Sequence, residues 1–491
     1  MISSKIARVI YPEFRFGKTS IDDALRLVEM GVGGFCLYGG TIEEVVNTIK
    51  ILKSSCKIPL LFCADYENGV GQWIKGATEL QSNMAVGASS SDYIARRKAE
   101  ITAIESKALG VDWIFAPVVD LASMPENPIV NVRAFGDSPG LVSFLAEAYI
   151  SGINSQHAIS CLKHFPGHGA TSCDSHMELP VLNRTRDELE SYELKPYKSL
   201  LKNAPSVMVG HLKIDAIDKE NASSLSNEVI TGILRNEFKY DGCVITDALS
   251  MKAISDGEES AIKALCAGAD VLLVPDNPFK LYEALIKSNE TGIVSNSMLE
   301  DAIRRQDSLV KKILVDTLNK PGLDVVGCEE HKKFIRETAL ECITWAFVKN
   351  QFILKEGDTV GYFEPLTESA DWKGRSFVDE LLKSGVKVRP FDKSCEKLIV
   401  ASFSKPRAFS GSINFNEEET KAILQKIIQA KETLIIAFGS PFVFKDLEQE
   451  IQAALCAFCN LSEYQKACAH IVTGAACANG RMPVNLKLNL K

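Results

Sequence analysis

The chain has 491 residues, with 55 Lys and Arg against 63 Asp and Glu, so its formal net charge is −8. With 46% hydrophobic and 24% charged residues, the composition is typical of a globular protein of two or three domains and excludes a chain disordered throughout. The acidic balance disfavours nucleic-acid binding, since it offers no overall basic field for phosphate groups.

The sequence carries no apolar stretch long enough for a secretory signal near Met1 or for a membrane span further along. Most of the 14 cysteines stand singly in apolar runs, as Cys36, Cys63, Cys243 and Cys266 do. Such cysteines are typical of buried, reduced thiols. We therefore expect a cytoplasmic protein that is not bound to a membrane.

Short apolar runs alternate with amphipathic stretches over the first two-thirds of the chain. The runs, predicted to be strands, are Ile6–Ile10, Gly34–Tyr38, Leu60–Ala64, Trp113–Val118, Ile159–Leu162, Val207–His211, Cys243–Ile245 and Val271–Val274. The helical patterns between them include Thr41–Leu52, Ser91–Leu109, Val142–His157 and Arg186–Lys202. This alternation predicts an α/β fold with a parallel sheet. A (β/α)8 TIM-type barrel fits the number of units better than the alternative, a doubly wound open sheet.

A second, smaller α/β domain is predicted after the barrel. Glu329–Asn350 has the pattern of a long helix, and the apolar runs Thr359–Phe363, Leu398–Ser402 and Leu434–Phe438 alternate with helical stretches such as Glu417–Ala430. We therefore divide the chain into a catalytic barrel (1–325), a connecting helix and linker (326–355) and a sandwich-like α/β domain (356–491).

Most candidate functional residues follow directly after the predicted strands. Active sites of such barrels form in the loops at the carboxyl ends of the strands. Convergence of several polar residues on that rim predicts a polar pocket there. The residues are Asp65, Glu67, Asp120, Asn131, Arg133, Lys163, His164, His168, Asp174, His176, His211, Asp247 and Asp276.

The His-rich loop after the fifth run allows three interpretations. In the first, its Pro and Gly residues simply turn the chain and the histidines are hydrogen-bonded locally. A metal site would use His164, His168, His176 and Asp174, but their spacing does not place ligands on one helix face and no H-E-x-x-H motif is present. In the third, the Asp174 carboxylate orients the His176 imidazole, which then carries a proton near neutral pH.

Asp247 ends the apolar run that begins at Cys243. A carboxylate in that place is costly unless it faces a wet or functional cavity. The alternative is an N-cap for a helix over Ala248–Ile254. A carboxylate opposite a proton carrier suits glycoside cleavage, because the carboxylate attacks the anomeric carbon and the acid protonates the leaving oxygen.

The loop Lys163-His-Phe-Pro-Gly-His-Gly, with Asp174-Ser-His176, closely resembles the signature loop of the β-N-acetylglucosaminidases of glycoside hydrolase family 3. A looser similarity covers the connecting helix and the closing motif Ala478–Val484. Further similar segments in the barrel region are Asp65–Gly69, Met84–Ala88, Phe115–Asp120, Asn131–Gly136, Val207–His211 and Ile245–Met251.

The resemblance implies a retaining exo-glycosidase that removes terminal β-linked N-acetylglucosamine, for example from cell-wall muropeptides in peptidoglycan recycling. It makes Asp247 the nucleophile and His176 the general acid/base, oriented by Asp174. The residues that would hold the sugar through its hydroxyls are Asp65, Arg133, Lys163, His164 and His211. We expect no cofactor and no metal. The alternatives are a β-N-acetylglucosaminide phosphorylase, a metal-dependent barrel hydrolase and a non-catalytic amino-sugar-binding protein.

A cysteine pair and two aromatic residues could each have either a structural or a functional role. Cys456 and Cys459 form a single C-x-x-C pair in an apolar stretch, so buried thiols are favoured over zinc. Trp73 and Phe135 could stack on a sugar or belong to the core.

Overall fold

The computed structural model describes residues 3–171, 178–254, 257–314, 320–365, 372–406, 413–445, 447 and 450–488. The first two-thirds of the chain forms a ring of parallel strands with helices outside it. In chain order the strands are β1 (Ile10–Tyr11), β2 (Glu13–Arg15), β3 (Gly34–Tyr38), β4 (Leu61–Ala64), β5 (Trp113–Ile114), β6 (Ile159–Phe165), β7 (Ser206–Val209), β8 (Cys243–Thr246) and β9 (Leu272–Leu273).

Pairing between the first and last strands closes this ring. Strands β2 to β8 form one continuous parallel sheet in chain order. Ile245 of β8 bridges Val271, just before β9, and β9 pairs with β1 through Ile10 and Leu272. Since only Pro12 separates β1 from β2, these two short strands together act as the first strand of the barrel. The predicted (β/α)8 barrel is confirmed.

Helices return the chain from each strand to the next. Between β7 and β8 the segment Glu228–Glu237 has the wider turn of a π-helix. The α-helices of this region are α1 (Ser3–Ile6), α2 (Ile21–Met30), α3 (Ile42–Ser55), α4 (Asn83–Ser89), α5 (Asp92–Leu109), α6 (Pro139–Ser155), α7 (Arg186–Ser191), α8 (Leu194–Leu200), α9 (Gly257–Ala267), α10 (Pro278–Glu290) and α11 (Asn296–Leu314).

Two predicted elements of the barrel region differ from the structure. The predicted strand Ile6–Ile10 is wrong: the chain is helical through Val9, and the strand starts at Ile10. Ile6, Val9 and Ile10 are buried, which is the i, i+3, i+4 spacing of a helix and not the alternation of a strand. The predicted helix Arg186–Lys202 is broken into α7 and α8.

The barrel interior is packed with apolar side chains and thiols. Neighbouring strands contribute alternate residues to it, as expected for side chains that point towards a barrel axis. On β4 these are Leu61 and Cys63, and on β6 they are Ile159 and Cys161. The ring of Trp113 contacts that of Tyr11 edge-on, with centroids 5.8 Å apart. The interior is therefore a closed, packed core that supports the loops at the ends of the strands.

The rest of the chain forms a second α/β unit around one mixed sheet. Its strand order is β10-β15-β14-β13-β11-β12, parallel except for the antiparallel pair β10–β15. The elements are α12 (Glu329–Cys342), β10 (Thr344–Val348), β11 (Thr359–Phe363), α13 (Arg375–Lys383), β12 (Lys387–Pro390), β13 (Lys397–Ser402), α14 (Glu417–Ile427), β14 (Glu432–Ala437), β15 (Ala453–Cys456) and α15 (Ser462–Val472).

The predicted helix Glu329–Asn350 is correct only in its first part. Helix α12 ends at Cys342, and Thr344–Val348 continues as strand β10. This segment contains Trp345, Phe347 and Val348, residue types that favour strands, and it pairs with β15 at the edge of the sheet. The division of the chain at residues 325 and 355 stays a prediction.

The two units are in direct contact. Ser82, at the start of α4, donates a hydrogen bond of 3.0 Å to the carbonyl of Phe458. The amide of Asn131 donates one of 3.0 Å to the hydroxyl of Ser440. Arg481 donates its backbone N–H to the carbonyl of Ala88 at 2.8 Å. The loops that carry barrel residues are thus fixed partly by the second unit.

Among the described helices, none combines the length and the apolar character that crossing a bilayer requires.

Candidate active site

A pocket of about 650 Å³ opens at the carboxyl ends of the barrel strands. Polar and charged side chains from several strands and loops meet there. Residues of the second unit, Lys405 and Pro406, also line it. The barrel residues in its wall include Arg15, Tyr38, Asp65, Glu67, Asn68, Trp73, Arg133, Lys163, His164, His168, Met208, Asp247 and Ala248.

Strand alternation places three of the predicted residues in this pocket. Asp65 comes two residues after the interior Cys63, Lys163 two after Cys161, and Asp247 two after the interior Ile245. Since side chains two apart on a strand point to the same side, the next inward position beyond the core faces the pocket. The sequence predicted these three positions from where the apolar runs end.

The strongest contacts in the pocket join charges of opposite sign, of which Glu67 and Lys163 are buried and Asp65 and Arg133 are partly exposed. Lys163 Nζ lies 2.7 Å from Asp65 Oδ1 and 2.5 Å from Glu67 Oε1. Arg133 donates to both oxygens of Glu67, from Nε at 2.9 Å and from Nη2 at 2.7 Å. We call these four residues the rim cluster. Pairing of this kind is what allows several charges to remain buried together.

Glu67, Lys163 and Arg133 of the rim cluster stay ionised. Burial by itself raises the pKa of Glu67, but Arg133 and Lys163 outweigh it and hold that pKa well below its usual range. Burial lowers the pKa of Lys163, yet Asp65 and Glu67 reverse the effect and raise it. Glu67 likewise raises the pKa of Arg133 against its burial. The pocket thus presents fixed charges that can form strong hydrogen bonds with a polar ligand.

His164 is held in one orientation by Asp120. Its Nδ1 lies 2.7 Å from Asp120 Oδ2, and since the carboxylate accepts, Nδ1 carries the proton. Nε2 is then an acceptor for Arg133 Nη2 at 3.4 Å. Although burial raises the pKa of Asp120, the neighbouring His164 lowers it overall. The predicted binding residues Asp65, Arg133, Lys163 and His164 are therefore brought together.

Asp247 lies at the end of β8 and is partly exposed in the pocket. Its backbone N–H donates to the carbonyl of Val209 at 2.9 Å. One carboxylate oxygen accepts from the N–H of Ala248 at 2.8 Å, but the next helix begins only at Gly257. The alternative role as an N-cap of a helix over 248–254 is therefore wrong.

His211 lies behind the pocket wall. It is fully buried, with Nε2 donating to the carbonyl of Ala248 at 3.0 Å and Nδ1 2.7 Å from Ser224 Oγ. His211 thus contacts the segment that follows Asp247, and its predicted contact with a sugar stays a prediction.

The structure describes the His-rich loop as far as residue 171. Asp174 and His176 lie outside the described residues. Earlier in the loop, His168 is buried, with Nδ1 2.9 Å from the hydroxyl of Thr171. Burial lowers the pKa of His168 to about 4, so the imidazole is neutral at physiological pH. Over the described part of the chain, no group of three or more His, Cys, Asp or Glu side chains is arranged to hold a metal ion.

Three residues in or next to the pocket were not assigned a role from sequence. Glu67 follows Asp65 by two residues, so the same alternation pointed to it. Asp120 was noted after the fourth run, but its bond to His164 depends on the loop conformation. Lys98 lies in helix α5 and donates to the side-chain oxygen of the pocket residue Asn68 at 3.4 Å, and nothing in the sequence pattern marked it.

Trp73 and Phe135, which could either stack on a sugar or belong to the core, lie in different places. Trp73 lines the pocket, and its Nε1 donates to the carbonyl of Asp65 at 3.0 Å. Phe135 is fully buried against Tyr149 and belongs to the core. All the described cysteines are free thiols.

Residues 1–309 match the model of the glycosyl hydrolase family 3 N-terminal domain. A β-hexosaminidase A of Pseudoalteromonas piscicida is 30% identical over 66% of this chain and 60% of its own length. The chain thus spans less than two-thirds of that relative. A β-hexosaminidase of Nitrosomonas eutropha is 32% identical over 57% of this chain and 84% of its own length.

Solved structures show the same fold over the whole chain. A family 3 β-N-acetylglucosaminidase from Paenibacillus sp. superposes with a TM-score of 0.87 at 25% identity, covering 100% of both chains. A β-glucoside phosphorylase superposes with a TM-score of 0.91 at 23% identity, covering 99% of this chain and 94% of its own.

Proposed function

The chain belongs to glycosyl hydrolase family 3, and we propose that it is a retaining exo-glycosidase that removes terminal β-linked N-acetylglucosamine. The names of its β-hexosaminidase relatives support this choice of sugar. The observation that carries the proposal is the position of Asp247, a partly exposed carboxylate in the same pocket as the rim cluster. A sugar held by the cluster would present its anomeric carbon to that carboxylate.

The binding step uses groups whose charges are already fixed. Asp65, Lys163 and Arg133 can each form charge-assisted hydrogen bonds to sugar hydroxyls. His164, held by Asp120, completes this set. Because these groups pair with one another before the sugar arrives, little reorganisation is needed on binding.

The chemical step begins with attack of an Asp247 carboxylate oxygen on the anomeric carbon. The bond to the leaving oxygen breaks as His176 donates a proton to it, and a covalent glycosyl–Asp247 ester forms. His176, oriented by Asp174, then removes a proton from water, which attacks the anomeric carbon and releases the sugar. Two displacements restore the β configuration.

Assay of an aryl β-N-acetylglucosaminide tests this proposal. Asp247→Asn should lose at least about a thousandfold in kcat, because the amide is a poor nucleophile. Asp276→Asn is the matched control, since Asp276 follows the next strand but does not line the pocket. No turnover by the unaltered protein, or equal turnover by Asp247→Asn, would contradict the proposal.

The acceptor and the biological substrate are part of the same proposal. Water is the proposed acceptor and muropeptide-derived glycans the proposed substrates, with a cytoplasmic location suggested by the free cysteines. Running the assay with and without inorganic phosphate distinguishes hydrolysis from phosphorolysis, since only the latter yields a sugar phosphate. Chelator treatment should leave the rate unchanged.

A further inference from the structure

Lys98 is a buried lysine behind the pocket that the proposed reaction does not use. It lies in helix α5 and is 0% exposed. Its Nζ donates to the side-chain oxygen of Asn83 at 2.6 Å and to that of Asn68 at 3.4 Å. A buried ammonium is costly unless it is well hydrogen-bonded. The two amide oxygens supply those hydrogen bonds, which leaves the question of what Lys98 contributes to the pocket in return.

Both amides connect Lys98 to the sugar pocket. Asn68 lines the pocket directly. The amide nitrogen of Asn83 donates to the backbone carbonyl of Arg133 at 2.8 Å. Because Lys98 takes the oxygen of Asn83, it fixes which end of that amide faces Arg133. The ammonium thus orients a wall residue and the backbone of a rim-cluster residue at once.

The charge that faces Lys98 from the described elements is the Glu67 carboxylate, which raises the pKa of Lys98. Tyr149, Cys342 and Cys459 also face it. Burial raises the pKa of each of these three groups, so they are uncharged near neutral pH. Burial is the larger effect on Lys98 itself and lowers its pKa to about 7.

We propose that Lys98 is a positioning residue of the sugar pocket, which holds Asn68 and Asn83 so that the pocket wall and Arg133 are set for binding. The inference rests on the proposed function only in that it takes N-acetylglucosamine as the ligand. The ammonium makes charge-assisted hydrogen bonds to the two amide oxygens, and these are stronger than the bonds that a neutral amine would make. Sugar affinity therefore falls as the pH rises through the titration of Lys98.

The test compares Lys98→Met with Lys107→Met, a change of a second buried lysine in the same helix. Lys107 donates to the carbonyl of Gln156 at 2.7 Å, away from the pocket. The dissociation constant of free N-acetylglucosamine and the KM of an aryl substrate are measured from pH 5.5 to 9. Thermal unfolding of each variant shows whether it is folded. Lys98→Gln keeps a hydrogen-bond donor without a charge.

At pH 6, Lys98→Met should raise the dissociation constant and KM about tenfold, with a smaller change in kcat. The dissociation constant of Lys98→Met, divided by that of the unaltered protein, should fall towards one as the pH rises past about 7. The reason is that the unaltered protein loses the charge on Lys98 in this range. Lys98→Gln should recover part of the affinity, but its affinity should not show the fall near pH 7, which we call the pH step. Lys107→Met should keep both the affinity and the step.

Two results would overturn the inference. One is a pH step that persists in Lys98→Met, and the other is a folded Lys98→Met that binds the sugar as well as the unaltered protein. Failure of the unaltered protein to bind N-acetylglucosamine would instead contradict the proposed function, so the two failures are distinguishable.

Discussion

The barrel interior and the rim cluster are neighbouring parts of the same strands, yet they are built in opposite ways. Cys63 and Cys161 belong to an interior of thiols, aliphatic chains and aromatic rings. Two residues further on, Asp65 and Lys163 pair with each other and with Glu67. The interior is stabilised by burial of apolar surface, whereas buried charges at the rim are retained at a desolvation cost. A ligand-binding role, as proposed for the rim cluster, would explain why charges are kept there despite that cost.

Removing a charge from the rim cluster should have the largest effect on stability. Lys163→Met would leave Asp65 and Glu67 without their shared cation, so we expect a loss of about 3–5 kcal/mol in the free energy of unfolding and a loss of sugar binding. Urea denaturation and a binding assay measure the two effects. A change below about 1 kcal/mol would contradict the account of the rim as a mutually dependent cluster.

A polar change in the interior should cost less and should spare activity. Cys161→Ser, on the same strand and face as Lys163, places a hydroxyl in an apolar core, so we expect a loss of about 1–3 kcal/mol. The kcat of the folded fraction should be unchanged. A loss of kcat comparable to that of Lys163→Met would mean that interior and rim are not functionally separate.

The effect expected to be smallest near neutral pH is that of His168, because it develops only as the pH falls below 6.5. Its pKa in the folded protein is about 4, below the ordinary 6.5, so the unfolded chain binds more protons between these values. The free energy of unfolding therefore falls as the pH drops from 6.5 to 4. His168→Asn should reduce that slope by up to about 1.4 kcal/mol per pH unit, as measured by urea titrations at several pH values. An unchanged slope would show that His168 is not buried in its neutral form.

The sequence predicted the parts of the site that follow from strand alternation. Asp65, Lys163 and Asp247 each continue an inward-facing series beyond an apolar run, so their meeting in one pocket was foreseeable. The barrel itself followed from the order of apolar runs, although Ile6 and Val9 were misassigned because a short helical turn and a strand share an apolar composition.

Other parts depended on tertiary contacts that a linear pattern does not contain. Lys98 comes from a helix and reaches the pocket through two amides. His211 is at a strand end, as predicted, but its ring bonds to the carbonyl of Ala248. Thr344–Val348 became a strand because β15 was available to pair with it. In each case a distant partner decided the outcome.

The most direct test of the account is to identify the residue that carries the sugar during turnover. The His176→Ala variant, which should be slow to release the covalent intermediate, is mixed with an activated aryl β-N-acetylglucosaminide, quenched in acid and analysed by peptide mass mapping. We predict one N-acetylhexosaminyl group on the peptide that contains Asp247, and none after the Asp247→Asn change is added. A sugar attached to another residue, or release of the α-anomer by the unaltered protein, would contradict the account.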